Sequence, residues 1–204
     1  MTLRLNGSSS GFTEIDAPAA AGSNTLTLPT SNGSANQVLR NGSTPGTLEF
    51  ADETKNLVQF KSAEYTTRTS VTTAFPFDDT VPQNTEGTEI ITLAITPEST
   101  SNKLAIEFFM PMWDGDTVRV GTVALFQDST AGALAVGQNI NSTNTYSKQL
   151  FMVHVMDAGT TSSTTFKIRV GPNAGTMFLN RRSDASYFGA TTLHTTLRIT
   201  EFKV

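Results

Sequence analysis

Residues 91–112 read ITLAITPESTSNKLAIEFFMPM, and this stretch decides the fold. Apolar and polar residues alternate in its first part, where Ile91, Leu93 and Ile95 share one face of an extended chain. Such a period of two is typical of a half-buried β-strand. The second part places more apolar residues on one face in the same way, and these are Leu104, Ile106, Phe108, Met110 and Met112. The polar residues 97–102 between the two parts predict a turn that separates two strands.

The same pattern continues along the rest of the chain after Leu57. Short alternating runs are separated by Pro, Gly, Asn and Asp clusters, and they amount to about eight strands without an amphipathic helix. This predicts an all-β, antiparallel fold and favours a two-sheet jelly-roll sandwich. An immunoglobulin-type sandwich is the alternative, but that fold normally takes about 100 residues and its cysteine pair is missing here.

The first 50 residues have a different composition. About half of them are Gly, Ser, Thr or Asn, none is lysine, and the dipeptide Asn-Gly occurs three times. Because Asn-Gly tolerates the positive φ values of tight hairpin turns, we expect turns separated by very short extended strands. We therefore divide the chain into an extended β arm at residues 1–50, a junction at 51–64 and a jelly-roll head domain at 65–204. The junction fits either the start of a helical turn or a strand starting at Leu57.

One copy of this arm buries too little apolar surface to offset the conformational entropy of ordering it, about 1–2 kcal/mol per residue. We expect it to become ordered only on assembly, as three copies around one axis or as one copy on a larger surface. The arm residues that assembly would bury are Leu3, Leu5, Leu26 and Leu28.

A second candidate for assembly lies in the head. The run from Leu150 to Met156 is apolar on both faces apart from His154. A strand of this kind lies either centrally in a sheet or at a subunit contact. The assembly candidates of this run are Phe151, Val153 and Val155.

Charge and cysteine content exclude several functional classes. Charged residues make up 16% of the chain and the net charge is −4, so neither nucleic acid nor an anionic membrane is a favoured partner. Without cysteine, the chain has no disulfide, thiolate metal site or cysteine nucleophile. No apolar stretch suits a signal peptide or a membrane span, so we expect cytosolic synthesis and no membrane insertion. We also expect no cofactor and no metal ion.

Catalytic groups are sparse. The two histidines, His154 and His194, have no Gly-x-Ser-x-Gly elbow to accompany them, and we expect structural or interface roles for both. Asp78, Asp79 and Asp157 offer the carboxylates that glycoside cleavage needs, but they fall in Thr- and Pro-rich stretches where solvent surrounds them. We expect no enzymatic activity.

Two stretches suit recognition. Residues 113–117 (WDGDT) place an aromatic ring beside two carboxylates, which fits stacking on a sugar, oxygen ligation of Ca²⁺, or simply a solvated Asp-Gly turn. Residues 181–189 (RRSDASYFG) form a polar, aromatic loop before the last strand, which fits recognition of a glycan or protein, or plain packing. The contact candidates are Trp113, Asp114, Asp116, Arg181, Arg182 and Tyr187.

The arm resembles the N-terminal modules of tailed-phage structural proteins, notably those of cyanophages and other marine phages. The stretches that carry this resemblance are residues 3–8 (LRLNGS), 12–20 (FTEIDAPAA), 22–29 (GSNTLTLP), 37–42 (QVLRNG) and 46–50 (GTLEF). The head resembles the β-sandwich that often follows such modules, through residues 95–97, 101–104, 164–170 and 179–181.

The resemblance implies a homotrimeric virion protein, assembled in the host cytoplasm. Its residues 1–50 would dock on other virion proteins of the tail or capsid, and its jelly-roll head, similar to tumour-necrosis-factor and C1q heads, would face outward. We expect a short fibre or spike whose head binds a host-surface glycan or protein. A capsid head-decoration or cement protein is the alternative, which the short chain favours. A glycan-degrading tailspike is a third, although such spikes usually need a longer chain. The resemblance brings no catalytic residues.

Overall fold

The structure of the protein is a computed structural model that describes residues 3–16, 18–20, 22–53, 56–142, 147–189 and 192–204. The chain forms two compact units, Met1–Thr54 and Lys55–Val204. The described residues form fourteen β-strands and no helix. In the first unit the strands are β1 (Leu3–Asn6), β2 (Phe12–Ile15), β3 (Gln37–Asn41) and β4 (Leu48–Asp52). In the second they are β5 (Leu57–Tyr65), β6 (Thr69–Val71), β7 (Thr88–Ile95), β8 (Lys103–Gly115), β9 (Arg119–Gln127), β10 (Ala135–Asn141), β11 (Lys148–Asp157), β12 (Thr164–Pro172), β13 (Met177–Leu179) and β14 (Thr195–Phe202).

The first unit contains two antiparallel hairpins, β1–β2 and β3–β4. An Asn-Gly dipeptide starts each hairpin turn, but the positive φ values lie at later glycines, Gly11 (74°) and Gly46 (82°). The Gly7 N–H donates to the Gly11 carbonyl at 2.9 Å, and the Gly42 N–H donates to the Thr47 carbonyl at 2.7 Å. Thr27 joins the second hairpin through a parallel bridge to Thr47. These elements are short, in accord with the composition.

The second unit contains two antiparallel sheets. One has the strand order β10-β9-β12-β7. In the other, β5, β14, β8 and β11 lie side by side, because the same residues of β8 pair with β14 and with β11. β13 and β6 extend this sheet at the far end of β8. Among these eight main strands, only β9 and β10 follow each other within one sheet. This order is that of a jelly roll, and the predicted fold class is confirmed.

The head starts earlier than the sequence pattern placed it. β5 begins at Leu57 and pairs with β14 along its length. Leu57–Tyr65 therefore forms a strand of the larger sheet, and the helical alternative for this stretch is wrong. The segment assigned to a junction, residues 51–64, contains the end of β4 and most of β5.

The core lies between the two sheets. Leu104, Ile106 and Phe108 on β8 are fully buried, and they belong to one cluster with Ile168 and Val170 on β12. The alternation read from residues 91–112 therefore points its apolar face inward. Fully burying one such side chain stabilises the fold by about 1.5–3 kcal/mol.

A β-bulge interrupts the alternation on β8. Leu150 pairs with Met110, but Lys148 pairs with Trp113, so β8 contains one more residue here than β11 does. A bulge changes which side chains face inward on the residues that follow it. As a result, Met112 leaves the fully buried face and Trp113 joins it.

The edge strands β10 and β11 of the two sheets lie against each other. The Asn139 Nδ2 donates to the Gln149 carbonyl at 2.9 Å. A Cβ atom at Gly137 would lie 2.6 Å from the Phe151 carbonyl oxygen, so only glycine allows this approach. We call this line of contact the β10–β11 seam; it closes one side of the sandwich.

Candidate recognition loop and assembly face

Residues 181–189, which we call the aromatic loop, follow β13 and precede β14. A buried carboxylate fixes the start of this loop. Asp114 on β8 accepts hydrogen bonds from the Ser183 N–H and the Ser183 hydroxyl, both at 2.9 Å. Its other oxygen accepts from the Gly115 N–H at 2.9 Å and from the Asn141 Nδ2 at 2.5 Å. Four donors therefore satisfy one buried carboxylate and tie the loop to the sandwich.

Three arginines hold the rest of the loop. The Arg68 guanidinium donates to the Tyr187 carbonyl at 2.6 Å and also to the Gly189 carbonyl. Arg181 donates through its Nε to the Arg182 carbonyl at 2.9 Å, and its guanidinium lies 5.4 Å from the Phe178 ring centroid. The Arg181 side chain therefore binds the backbone of its own loop. The Arg182 guanidinium pairs with the Asp184 carboxylate at 3.3 Å.

The loop presents two aromatic rings to solvent. Tyr187 is 37% exposed and Phe188 is 71% exposed. Their ring centroids lie 6.2 Å apart with an angle of 47° between the planes. The Arg182 guanidinium lies 5.7 Å from the Tyr187 centroid and donates a long hydrogen bond of 3.4 Å to the Tyr187 hydroxyl. We call Tyr187, Phe188, Arg182 and Asp184 together the aromatic platform.

Two of the predicted contact residues are not on the surface. Trp113 and Asp114 are both fully buried, so the exposure that their prediction assumed is wrong. The bulge turns Trp113 inward, and β8 runs on to Gly115, so the predicted turn starts later than expected. A Cβ atom at Gly121 would lie 2.6 Å from the Trp113 ring, which shows how closely β9 packs on it. Asp114 is an internal anchor of the aromatic loop.

The remaining contact candidates are partly exposed, and their role stays a prediction. Asp116 forms an ion pair with Arg119 at 2.7 Å, so its carboxylate is already used in the turn after β8. Arg181, Arg182 and Tyr187 all belong to the aromatic loop. Arg181, Arg182 and Tyr187 therefore share one loop, whereas Asp116 lies in the turn after β8.

Sequence reasoning left Phe188 out of the contact set, although it is the more exposed ring. Its φ of 58° lies in the left-handed region, which a bulky aromatic residue rarely adopts. The adjacent Gly189, at φ 72°, was the one local signal of an unusual turn. Ser183 and Arg68 were also missed, because their role depends on contacts distant in sequence.

The second candidate site is the outward face of the larger sheet. Phe151, Val153 and Val155 on β11 all point to solvent, with Phe151 61% exposed. Phe109 on β8 lies directly opposite Phe151 and is exposed as well. We call these four residues the apolar stripe. β11 pairs only with β8 among the described strands, so the sequence alternative of a central position in the sheet does not apply.

A shallow pocket of about 180 Å³ adjoins the stripe. Apolar, polar and charged side chains line it. The lining residues are Glu107, Phe108, Phe109, Phe151, Thr196 and Arg198. Glu107 and Arg198 are register partners on neighbouring strands, so opposite charges lie side by side at the pocket.

The arm candidates also face solvent. Leu3, Leu5, Leu26 and Leu28 are all more than half exposed. In the β1–β2 hairpin, Leu3 and Leu5 share a face with Ile15, whereas Arg4 and Glu14 form an ion pair on the opposite face. The hairpin is therefore amphipathic, with its apolar face uncovered within the first unit.

Two further searches cover the described part of the chain only. Within it, no three His, Cys, Asp or Glu side chains come together in a way that could hold a metal ion. The same ranges include no helix that is long and apolar enough to cross a membrane.

Comparison with known proteins gives the following. No protein-family model and no curated protein matches the chain. Among solved structures, murine APRIL is similar at 10% identity over 67% of this chain and 100% of that chain, with a TM-score of 0.36. A structure of infectious bursal disease virus, Gt strain, is similar at 13% identity over 88% of this chain and 47% of that chain, with a TM-score of 0.36. The VP2 subviral particle of that virus is similar at 10% identity over 87% of this chain and 50% of that chain, with a TM-score of 0.32. The chain spans about half the length of both viral chains. The jelly-roll assignment rests on the strand order given above.

Proposed function

We propose that the chain is a non-enzymatic structural protein of a phage virion, a short homotrimeric fibre or spike. Its arm attaches to the particle, and its head displays a host-binding surface. The observation that carries this proposal is the apolar stripe. Four large apolar side chains in a row on the outer face of a sheet, beside a pocket, are typical of a surface that another molecule covers.

A second copy of the chain is the partner that the stripe suits best. Its Phe and Val side chains are 41–61% exposed, and burying that remaining apolar surface, at about 25 cal/mol per Å², favours association. Glu107 and Arg198 border the stripe and supply both signs of charge, so one copy can meet another with charges matched. The stripe lies on β8 and β11, towards one side of the sheet, and a head-to-tail contact through such a patch forms a ring when the rotation between copies closes. We propose a ring of three, in agreement with the family that the arm resembles.

The arm suits attachment. Its exposed leucines, Leu3, Leu5, Leu26 and Leu28, need a cover that one copy of the first unit does not provide. We propose that other virion proteins of the tail or capsid cover them. Trimerisation then gives three head surfaces on one particle site, so avidity replaces the affinity of a single site.

A capsid decoration or cement protein is the second candidate. It is favoured by the exposed apolar face of the β1–β2 hairpin, because a single arm laid on a shell covers that face without a trimer. Antibody labelling of purified particles separates the two positions. Loss of adsorption on removal of the protein supports the fibre, whereas loss of capsid stability supports decoration.

The solution mass of the full chain tests the trimer. We expect light scattering after gel filtration to give three times the chain mass. Val153→Glu puts a charge in the stripe and should give the monomer with an unchanged circular dichroism spectrum. Val136→Glu on β10 is the matched control, since Val136 and Val153 are 43% and 45% exposed, and it should remain trimeric. A wild-type monomer at micromolar concentration would overturn the trimeric fibre and favour decoration.

A further inference from the structure

We propose that the aromatic platform is a carbohydrate-binding site that takes a neutral saccharide, which stacks on Phe188 and Tyr187 and hydrogen-bonds to Arg182 and Asp184. This inference rests on the proposed function, because it names the ligand class of the host-binding head. It assigns the site to one loop and adds Phe188 to the contact candidates predicted from the sequence.

The first argument is the rigidity of the loop. Ser183 is fixed by two hydrogen bonds to the buried Asp114, and the Tyr187 carbonyl is fixed by Arg68. The Arg182 N–H donates to the Ala185 carbonyl at 3.0 Å, which closes the turn between them. A loop that is held in this way loses little entropy on binding, so its rings are pre-organised.

The second argument is the backbone of Phe188. Its φ of 58° costs an L-residue with a large side chain about 1–2 kcal/mol. Packing of the Phe188 ring offsets little of this cost, because the residue is 71% exposed. Hydrogen bonds hold the strained turn from both sides, since the Thr192 hydroxyl donates to the Phe188 carbonyl and Arg68 donates to the carbonyls of Tyr187 and Gly189. Strain that surrounding contacts maintain while an aromatic ring points to solvent is characteristic of binding sites.

The third argument is the chemistry around the rings. A pyranose has an apolar face of C–H groups and an edge of hydroxyls, and it needs a ring face beside both donors and acceptors. Tyr187 and Phe188 supply two inclined faces. Arg182 supplies donors and Asp184 supplies acceptors, and the Asp184 side chain is 58% exposed. The two form an ion pair, so their charges offset each other, while Arg68 and Arg181 donate to backbone carbonyls of the loop. This arrangement favours a neutral saccharide over a phosphate or another strongly charged group.

The test uses the full-length chain and immobilised neoglycoproteins that bear glucose, galactose or mannose, with the unglycosylated carrier protein alongside. Phe188→Asn removes the ring, and asparagine tolerates the left-handed backbone, so the loop keeps its shape. Phe77→Asn is the matched control, because Phe77 is 70% exposed and lies in the loop before β7. We expect one of the sugars to bind, Phe188→Asn to weaken that binding at least about tenfold because it removes the stacking ring, and Phe77→Asn to leave it unchanged. A tenfold change corresponds to about 1.4 kcal/mol.

Three outcomes would overturn the inference. The first is that the protein binds none of the sugars at millimolar concentration. The second is that wild type and Phe188→Asn bind the sugar equally. The third is that wild type binds the unglycosylated carrier as well as the glycosylated one, which would indicate a protein ligand. Light scattering on the same samples separates this from the proposed function. A trimer that binds no sugar overturns the saccharide site alone. A monomer that binds no sugar contradicts both the saccharide site and the trimeric fibre.

Discussion

The buried Asp114 carboxylate accepts both the N–H and the hydroxyl of Ser183, each at 2.9 Å. These residues are 69 positions apart in the sequence. One end of β8 is thereby joined to the loop that carries the most exposed aromatic ring of the recognition surface. The stability of the sandwich and the shape of the aromatic loop therefore depend on the same carboxylate.

Replacing Asp114 by Asn should destabilise the head by about 2–4 kcal/mol. An amide group has only one oxygen, so at least one backbone N–H, that of Ser183 or that of Gly115, would face the new NH2 group inside the protein. Urea unfolding followed by circular dichroism measures the change. Asp116→Asn is the matched control, and it should cost at most about 1 kcal/mol because its ion pair with Arg119 is near the surface. Equal effects of the two changes would contradict the anchoring role of Asp114.

Glu201 should make stability depend on pH. Burial by itself raises the pKa of Glu201, but hydrogen bonds from Asn102, Gln59 and the backbone of Glu98 and Ser99 outweigh it, and the pKa is lowered below its ordinary value of 4.5. A carboxylate whose pKa is lower in the folded state stabilises the fold above the unfolded value. That contribution is lost as the pH falls from about 4.5 through the folded pKa.

Urea midpoints of wild type and Glu201→Gln between pH 7 and pH 3 measure this contribution. The wild-type curve should fall more steeply than the Glu201→Gln curve below about pH 4.5, and the difference between the curves isolates this carboxylate from the other acids. Parallel curves would show that Glu201 does not titrate as proposed.

Gly121→Ala should destabilise the head by about 1–3 kcal/mol. The added methyl group would lie 2.6 Å from the Trp113 ring, which is buried and has no room to move. Gly132→Ala is the control, because its methyl group would meet only a Val81 methyl group at 3.3 Å. Thermal unfolding should separate the two variants, and a Gly121→Ala protein as stable as wild type would mean that the indole can shift.

Phe188→Asn should stabilise the protein by about 0.5–1 kcal/mol, since asparagine adopts a positive φ with less strain. For a domain of this size the melting temperature should rise by about 1–4 °C. Phe77→Asn has no such strain to release and should give no gain. A lower melting temperature for Phe188→Asn would show that the ring contributes packing that outweighs its strain.

The sequence predicted the parts of the fold that depend on local pattern. Alternation from Ile91 to Met110 gave two strands and their inward faces, because the period of side-chain direction in a strand is fixed by the backbone. It failed at Trp113, since a bulge depends on how many residues the partner strand β11 contributes, and no local signal encodes that number.

The candidate site was predicted less well. The aromatic loop was recognised from its Arg, Tyr and Phe residues, but Asp114 was assigned to the surface because Asp-Gly is common in solvated turns. Its burial depends on Asn141 and Ser183, which donate to it from distant strands and loops. The left-handed backbone of Phe188 was not predicted, since tertiary contacts set it.

The β10–β11 seam protects two strand edges of the sandwich. An open strand edge is a template on which further chains add backbone to backbone, and this leads to fibrils. Here Asn139 and the close approach at Gly137 hold one edge strand against the other. This close approach leaves little room for a further strand to add to either edge. The side chains of the apolar stripe point away from this seam, so substitutions there should leave this protection against strand addition in place.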